Sequence, residues 1–184
     1  MDSTPKILTN IVKEGELSRQ EIDVIVKLIN QVYLLTEKDF WPHDGQYERT
    51  NTNEIEHFIR KKELIIATKS QEIVGAAHIY NLKENVCGFG MLVSSPKCRG
   101  IGIGSLLMKR IEYWAKTSHY KTIQLELLKP IGYKHPDKEI LTSWYTKLGY
   151  KYVSKTSYLD LYPKQASLLK VPSNFEIYQK NIVK

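Results

Sequence analysis

Residues 64–95 carry three β-rich runs, LIIATKS, IVGAAHIYNLK and VCGFGMLVSS, divided only by QE and EN. Two-residue separators are too short for a crossover and favour antiparallel hairpins. Directly behind them, KCRGIGIGSLLMKRIEYWAK (97–116) sets Gly100, Gly102 and Gly104 two apart before an apolar helical pattern. A meander that runs into bare backbone at the mouth of a helix fits a mixed sheet with helices packed on it.

The rest of the chain agrees with that layout. KILTNIVKEG reads as a short first strand. Ser18 and Glu21 are spaced as a capping box, and Ile22, Ile25, Val26, Ile29 and Val32 recur at helical spacing, so a helix is predicted over about 18–35. WPHDGQYERTNTN carries loop signals, and EIEHFIRKKE puts Ile55, Phe58 and Ile59 on one helical face. After the glycine stretch, TIQLELL reads as a strand and KEILTSWYTKL as a helix that Gly149 ends as a C′ residue. YKYVSKTSYLDLY and FEIYQKNIV read as two last strands. The expected fold is α/β (α+β): one domain over 1–184, with six to seven mostly antiparallel strands and about four flanking helices.

Composition narrows the function classes. A chain of 184 residues, 42% hydrophobic, with 12 Tyr and 3 Trp, is globular and suits one core. No apolar run approaches the roughly 18–20 residues that span a bilayer, and MDSTPKILTN lacks a signal peptide's apolar segment, so the expected location is cytoplasmic. Cys87 and Cys98 flank a strand and offer no metal spacing. The net charge of +7 suits an anionic partner, but it is spread along the chain without a basic block or a nucleic-acid signature.

Three devices share the look of the glycine stretch. A P-loop requires Lys and Ser or Thr after its last Gly; Ser105 and Leu106 follow Gly104, which excludes it. A Rossmann turn requires G-x-G-x-x-G straight after a strand; here the spacing is G-x-G-x-G behind the spacer SSPKC, and only Glu126 at the ribose-acid distance speaks for it. The third is a pyrophosphate cradle read from Arg99, Gly100, Ile101, Gly102, Ile103, Gly104 and Ser105. There, N–H groups converge on an anion at a helix N-terminus, and the guanidinium adds a charge-assisted donor. A glycine-rich turn that binds nothing explains one or two of these glycines better than three with an Arg.

MLVSSPKCRGIGIGSLLMKRIEYWAK and, further on, SWYTKLGYKYV resemble the acetyl-CoA motif and the Tyr-x-x-x-Gly-Phe/Tyr motif of the GNAT superfamily of N-acetyltransferases. The specific motifs cover about 91–153; the likeness in element order covers about 7–183. The resemblance implies acetyl-CoA as cofactor and transfer of its acetyl group to a primary amine by direct attack in a ternary complex. The main chain of Met91, Leu92 and Val93 would pair with the pantetheine arm, with the N–H of Leu92 or Val93 as oxyanion donor. Tyr145 matches the family's Tyr near the CoA sulfur and would protonate the leaving thiolate. An alternative for Tyr145 is a core ring with a structurally bonded hydroxyl.

Two departures matter. Many members carry Asn seven residues before that Tyr to contact CoA; here the position is Lys138, which is still expected among the cofactor contacts. The Glu that histone-type members place before the loop aligns with Cys87, so Glu126 is the best remaining carboxylate for a base, with a structural hydrogen bond as its other reading. His78, His135 and Glu84 are weaker candidates. The acceptor amine, on a small molecule or a peptide, would meet DFWPHDGQYERTN and KPIGYKHPDKE, with Trp41, Tyr47 and Tyr133 as wall residues. Asp44 and Glu48 beside those aromatic rings would suit a cation. No metal and no membrane partner is expected, nucleic acid is disfavoured, and a homodimer is an open option. The competing readings are an acyl-CoA-binding sensor without turnover and, from charge alone, a nucleic-acid module.

Overall fold

The computed structural model describes residues 6–42, 44–45 and 47–183. His43 and Gln46, in the loop read as an acceptor wall, lie outside the described residues. Seven strands form one sheet: β1 (Ile7–Ile11), β2 (Leu64–Lys69), β3 (Glu72–Lys83), β4 (Val86–Ser94), β5 (Thr122–Pro130), β6 (Lys151–Ser157) and β7 (Ser173–Asn181). The spatial order is β1-β2-β3-β4-β5-β7-β6. All neighbours run antiparallel except β4 and β5. The four longer helices are α1 (Arg19–Thr36), α2 (Thr52–Arg60), α3 (Ile103–Thr117) and α4 (Pro136–Lys147).

Local chemistry sets the element ends. Ser18 caps α1, its hydroxyl accepting from the Glu21 N–H while the Glu21 carboxylate accepts from the Ser18 N–H at 2.8 Å. The turn between β2 and β3 holds Ser70 and Gln71 at positive φ, the two-residue geometry that matches strand twist. Gly149 stands at φ 93° just past α4 and lets the chain leave the helix through the left-handed region.

The alternation of each strand divides the core into two layers. Ile65 and Ala67 of β2 and Leu125 and Leu127 of β5 face α3, whose Ile103, Leu107, Met108, Ile111 and Ala115 are buried against them. Leu64 and Ile66 point the other way, with Ala76, Met91 and Val93, onto Ile25 and Ile29 of α1 and Ile55 and Phe58 of α2. At about 1.5–3 kcal/mol per large side chain removed from water, these two layers hold the sheet between its helices.

One expected strand is corrected. YKYVSKTSYLDLY continues as strand only to Ser157; Tyr158–Leu161 and Pro163–Ala166 form short helices, α5 and α6. The reason is tertiary. Tyr158 is buried in a third cluster with Phe40, Trp41 and Leu128, while the facing strand β7 begins only at Ser173, so residue 158 onward has no ladder to join.

Candidate active site

The sheet opens between β4 and β5. Their parallel pairing covers only Val86, Cys87 and Gly88 against Thr122, Ile123 and Gln124. Beyond Gly88 the strands part. On its other side β4 carries an irregularity: from Ala76 to His78 β3 advances two residues, while the facing β4 segment, Val93 to Gly90, spans three. The extra residue sits at the bulge where Met91 takes φ 47°. A bulge turns N–H and C=O groups out of the ladder, so β4 presents free backbone to the gap.

That gap is the mouth of a cavity of about 1290 Å³. It runs from Pro96, Arg99 and Gly104 past Met91, Leu92 and Val93 to Glu126, Tyr145 and the loop around Trp41 and Arg49. It crosses from the α3/α4 side of the sheet to the α1/α2 side, because the missing β4–β5 pairs leave a passage.

The entrance to α3 is shaped for an anion. Gly100 and Gly102 stand at φ 79° and 81°, and Gly102 is the N-cap of α3. Only Gly adopts that region without strain. Among the described residues no side chain caps the helix, and no acidic side chain lies in its first turn. The first-turn N–H groups therefore point outward with the helix dipole behind them. Arg99 is exposed beside them, as are Ile101 and Ser105. Ile103 differs: its side chain is 2% exposed and packs in the core, so only its backbone faces the loop.

Tyr145 reaches the cavity from α4. Its ring is packed by Phe89 and Tyr150, each at 6.0 Å between centroids, and by Trp144 at 4.9 Å. Burial pushes its phenol above the ordinary 10, so it holds its proton at neutral pH. Glu126 faces the passage from β5. Burial raises its carboxyl above the ordinary 4.5, opposed by a hydrogen bond from Gln124 Nε2 at 3.4 Å. Gln124 is held in turn by Gln179 Nε2 at 2.8 Å. The Tyr80 ring lies over Gly88, where an added Cβ would come within 2.4 Å of it.

The remaining expected residues divide. Trp41 and Tyr47 line the cavity and stack at 3.9 Å and 4°. Tyr133 does not join them: it is 49% exposed and outside the cavity lining. His78 forms part of the wall, stacked on Phe58 at 3.6 Å, and its pKa falls to about 4 through burial and then the charge of Arg49. His135 pairs with Asp39 at 3.2 Å away from the cavity lining, and Glu84 is exposed at the β3–β4 turn. Burial pushes the Cys87 thiol up to about 12, so it is not a nucleophile at neutral pH.

Lys138 lines the cavity, and its ammonium is held there by a carboxylate. Its ammonium donates to Glu37 Oε1 at 2.5 Å and lies 5.2 Å from the Phe40 ring centre, with 3% of the residue exposed. Glu37 also accepts from Trp41 Nε1 at 2.8 Å. The pair bolts the end of α1 to α4 and fixes the Trp41 wall. Removing one partner strands the other charge, so Lys138→Met is expected to cost about 3–5 kcal/mol in urea unfolding. Adding Glu37→Gln to that variant should recover most of the loss.

Sequence reading missed Tyr33, Arg49, Tyr80, Tyr158 and Tyr162, all in the cavity wall. Arg49 and Tyr33 carry no local signal, since one is a loop cation and the other a polar-edged residue on an amphipathic helix.

The sequence profile of the acetyltransferase (GNAT) family matches residues 27–150, and the chain belongs to that family. Among solved structures, an N-acetyltransferase from Staphylococcus aureus Mu50 superposes with a TM-score of 0.67 at 12% identity, covering 97% of this chain and 99% of that one. A putative acetyltransferase from Salmonella typhimurium, solved with its cofactor acetyl-CoA, gives 0.68 at 10% identity over 97% and 95%. The ribosomal-protein-alanine N-acetyltransferase of Brucella melitensis gives 0.65 at 11% over 95% and 99%. At these identities the likeness speaks for the fold alone. No curated protein matches the chain significantly. Among the described residues no helix is long and apolar enough to cross a membrane, and no group of three His, Cys, Asp or Glu is placed to hold a metal.

Proposed function

We propose that the chain is an acetyl-CoA-dependent N-acetyltransferase that transfers the acetyl group directly to a primary amine. One observation carries the reading: a single cavity joins the uncapped mouth of α3, the bulged backbone of β4, Tyr145 and Glu126. Acetyl-CoA would supply the acetyl group as a thioester. Gly100 to Ser105 and Arg99 suit its pyrophosphate, and Met91 to Val93 suit its pantetheine amides by strand addition. An N–H of Leu92 or Val93 is available to the thioester oxygen as negative charge grows there.

The two ionisable groups have environments matched to opposite tasks. An alkyl amine near pKa 10.4 is charged at neutral pH and must lose a proton before it attacks. Glu126, on the α1/α2 side of the passage, is raised by burial toward the range in which a carboxylate serves as base. Tyr145, on the α4 side, is kept protonated and can donate to the departing thiolate. The passage between β4 and β5 lets each act on its own end of the reaction.

The test is an amine-panel assay of thiol release from acetyl-CoA. The parent protein should acetylate at least one primary amine with saturation in both substrates. Because the Glu126 carboxyl titrates above 4.5, the base is lost as pH falls through that raised value. kcat/KM should fall on the acid side in the parent, and Glu126→Gln should lower it by about 10²-fold or more and remove that group's limb. Protein that binds acetyl-CoA but releases no thiol with any amine would favour a sensor role instead.

A further inference from the structure

The acceptor end of the cavity holds a cation that the transfer chemistry does not use. Arg49 lies in the loop before α2 and lines the cavity, its guanidinium 5.2 Å from the centre of the Tyr33 ring. Among the described residues no carboxylate forms an ion pair with it. The acids whose charges reach it, Glu37 and Glu54, have nearer partners: Glu37 takes Lys138 and Trp41, and Glu54 accepts from Thr50 Oγ1 at 2.5 Å. Glu48, also on the wall, is exposed to solvent.

Position matters as much as charge. Burial pushes the Tyr33 phenol up, opposed by the charge of Arg49. Tyr33 also packs against the cluster that contains Met91, at the bulge of β4. Tyr80 and Tyr162 line the same cavity as Glu126 and Arg49. The cavity wall therefore carries a carboxylate, a guanidinium and several phenols. Arg49 is half-buried, and a half-buried guanidinium is matched by a planar oxyanion that it can bind through two parallel N–H groups.

We infer that Arg49 receives a carboxylate carried by the acceptor close to its amine, so that the substrate is a small amino acid rather than a simple alkylamine. The inference rests on the acetyl-transfer reading for the identity of the amine. In the bound acceptor the amine points to Glu126 and the carboxylate to Arg49, and the stacked Trp41 and Tyr47 bound the space for the side chain.

The test pairs acceptors that differ only in that carboxylate: alanine, leucine, phenylalanine and glutamate, each against its α-carboxamide. Thiol release gives kcat/KM for every compound, and calorimetry on protein saturated with CoA gives its Kd. The parent should prefer at least one acid over its amide by about 10-fold or more in both measurements. Arg49→Met should bring that preference within about threefold, and Arg49→Lys should keep part of it. Both variants should bind acetyl-CoA within about threefold of the parent, which separates loss of the acceptor site from loss of the fold. Amides that bind and react as well as the acids, or an Arg49→Met variant that keeps the preference, overturn the inference. Acetyl transfer without acid preference would leave the proposed function standing and remove the carboxylate site. Arg49-dependent acid binding without thiol release would do the reverse.

Discussion

Tyr145→Phe is expected to lower kcat by about 10²-fold or more while leaving acetyl-CoA binding unchanged. The two side chains differ by one oxygen, and the ring is held by Phe89, Trp144 and Tyr150 whichever is present. Packing is conserved, so stability should move by no more than about 1 kcal/mol, the worth of one hydrogen bond. In the proposed mechanism, what disappears is the proton for the leaving thiolate. Burial raises the phenol above 10, so the acid form persists through neutral pH and this group imposes no alkaline fall below about pH 10. Saturating kinetics with one good amine, set beside an acetyl-CoA titration of the variant, separates this outcome from a binding defect. A variant with parental kcat would remove Tyr145 from the chemistry and return it to the core.

The second large effect concerns the mouth of α3. Gly102→Glu is expected to weaken acetyl-CoA binding by about 10²-fold. Two costs add. A residue with a Cβ held at φ 81° is strained by about 1–2 kcal/mol. A carboxylate beside a pyrophosphate adds roughly 1–4 kcal/mol of repulsion, depending on how far water screens the pair. The space around Gly102 is open, with nothing within 4 Å of an added Cβ, so the loss does not come from a clash in the folded protein. Gly102→Asn supplies the control: Asn tolerates the left-handed region and carries no charge, so it should lose far less affinity. Equal losses in the two variants would assign the effect to backbone strain; no loss in either would mean that the anion binds elsewhere.

Much of this site could be read from the sequence because its signals are local. The capping pair Ser18 and Glu21, the separator EN, Gly149 after its helix, and the spacing of Gly100, Gly102 and Gly104 each act within a few residues, and each appears where the spacing predicts; the first hairpin turn falls one residue before QE, at Ser70 and Gln71, because Lys69 pairs with Glu72. The alternation in QLELL put Glu126 on the face opposite Leu125 and Leu127, as the two core layers show. What escaped depends on distant contacts. The insertion of β7 between β5 and β6 is set by pairing across roughly fifty residues of chain, as in Leu125 with Tyr178. The end of β6 at Ser157 depends on where β7 starts. Lys138 fills the Asn position of the family motif, yet its partner Glu37 lies just past the end of α1, 101 residues away. Arg49 sits in a loop without period, and only the folded structure places it in the cavity wall.

The central claim is that this cavity holds acetyl-CoA, and a calorimetric titration of acetyl-CoA into the full chain tests it most directly. The account predicts saturable one-to-one binding, with a Kd on the order of 1–100 μM, the range in which such enzymes commonly meet their substrates. It also predicts that Gly102→Glu lifts that Kd about 10²-fold while Tyr145→Phe leaves it in place. A flat titration of the folded parent protein would contradict the account at its base.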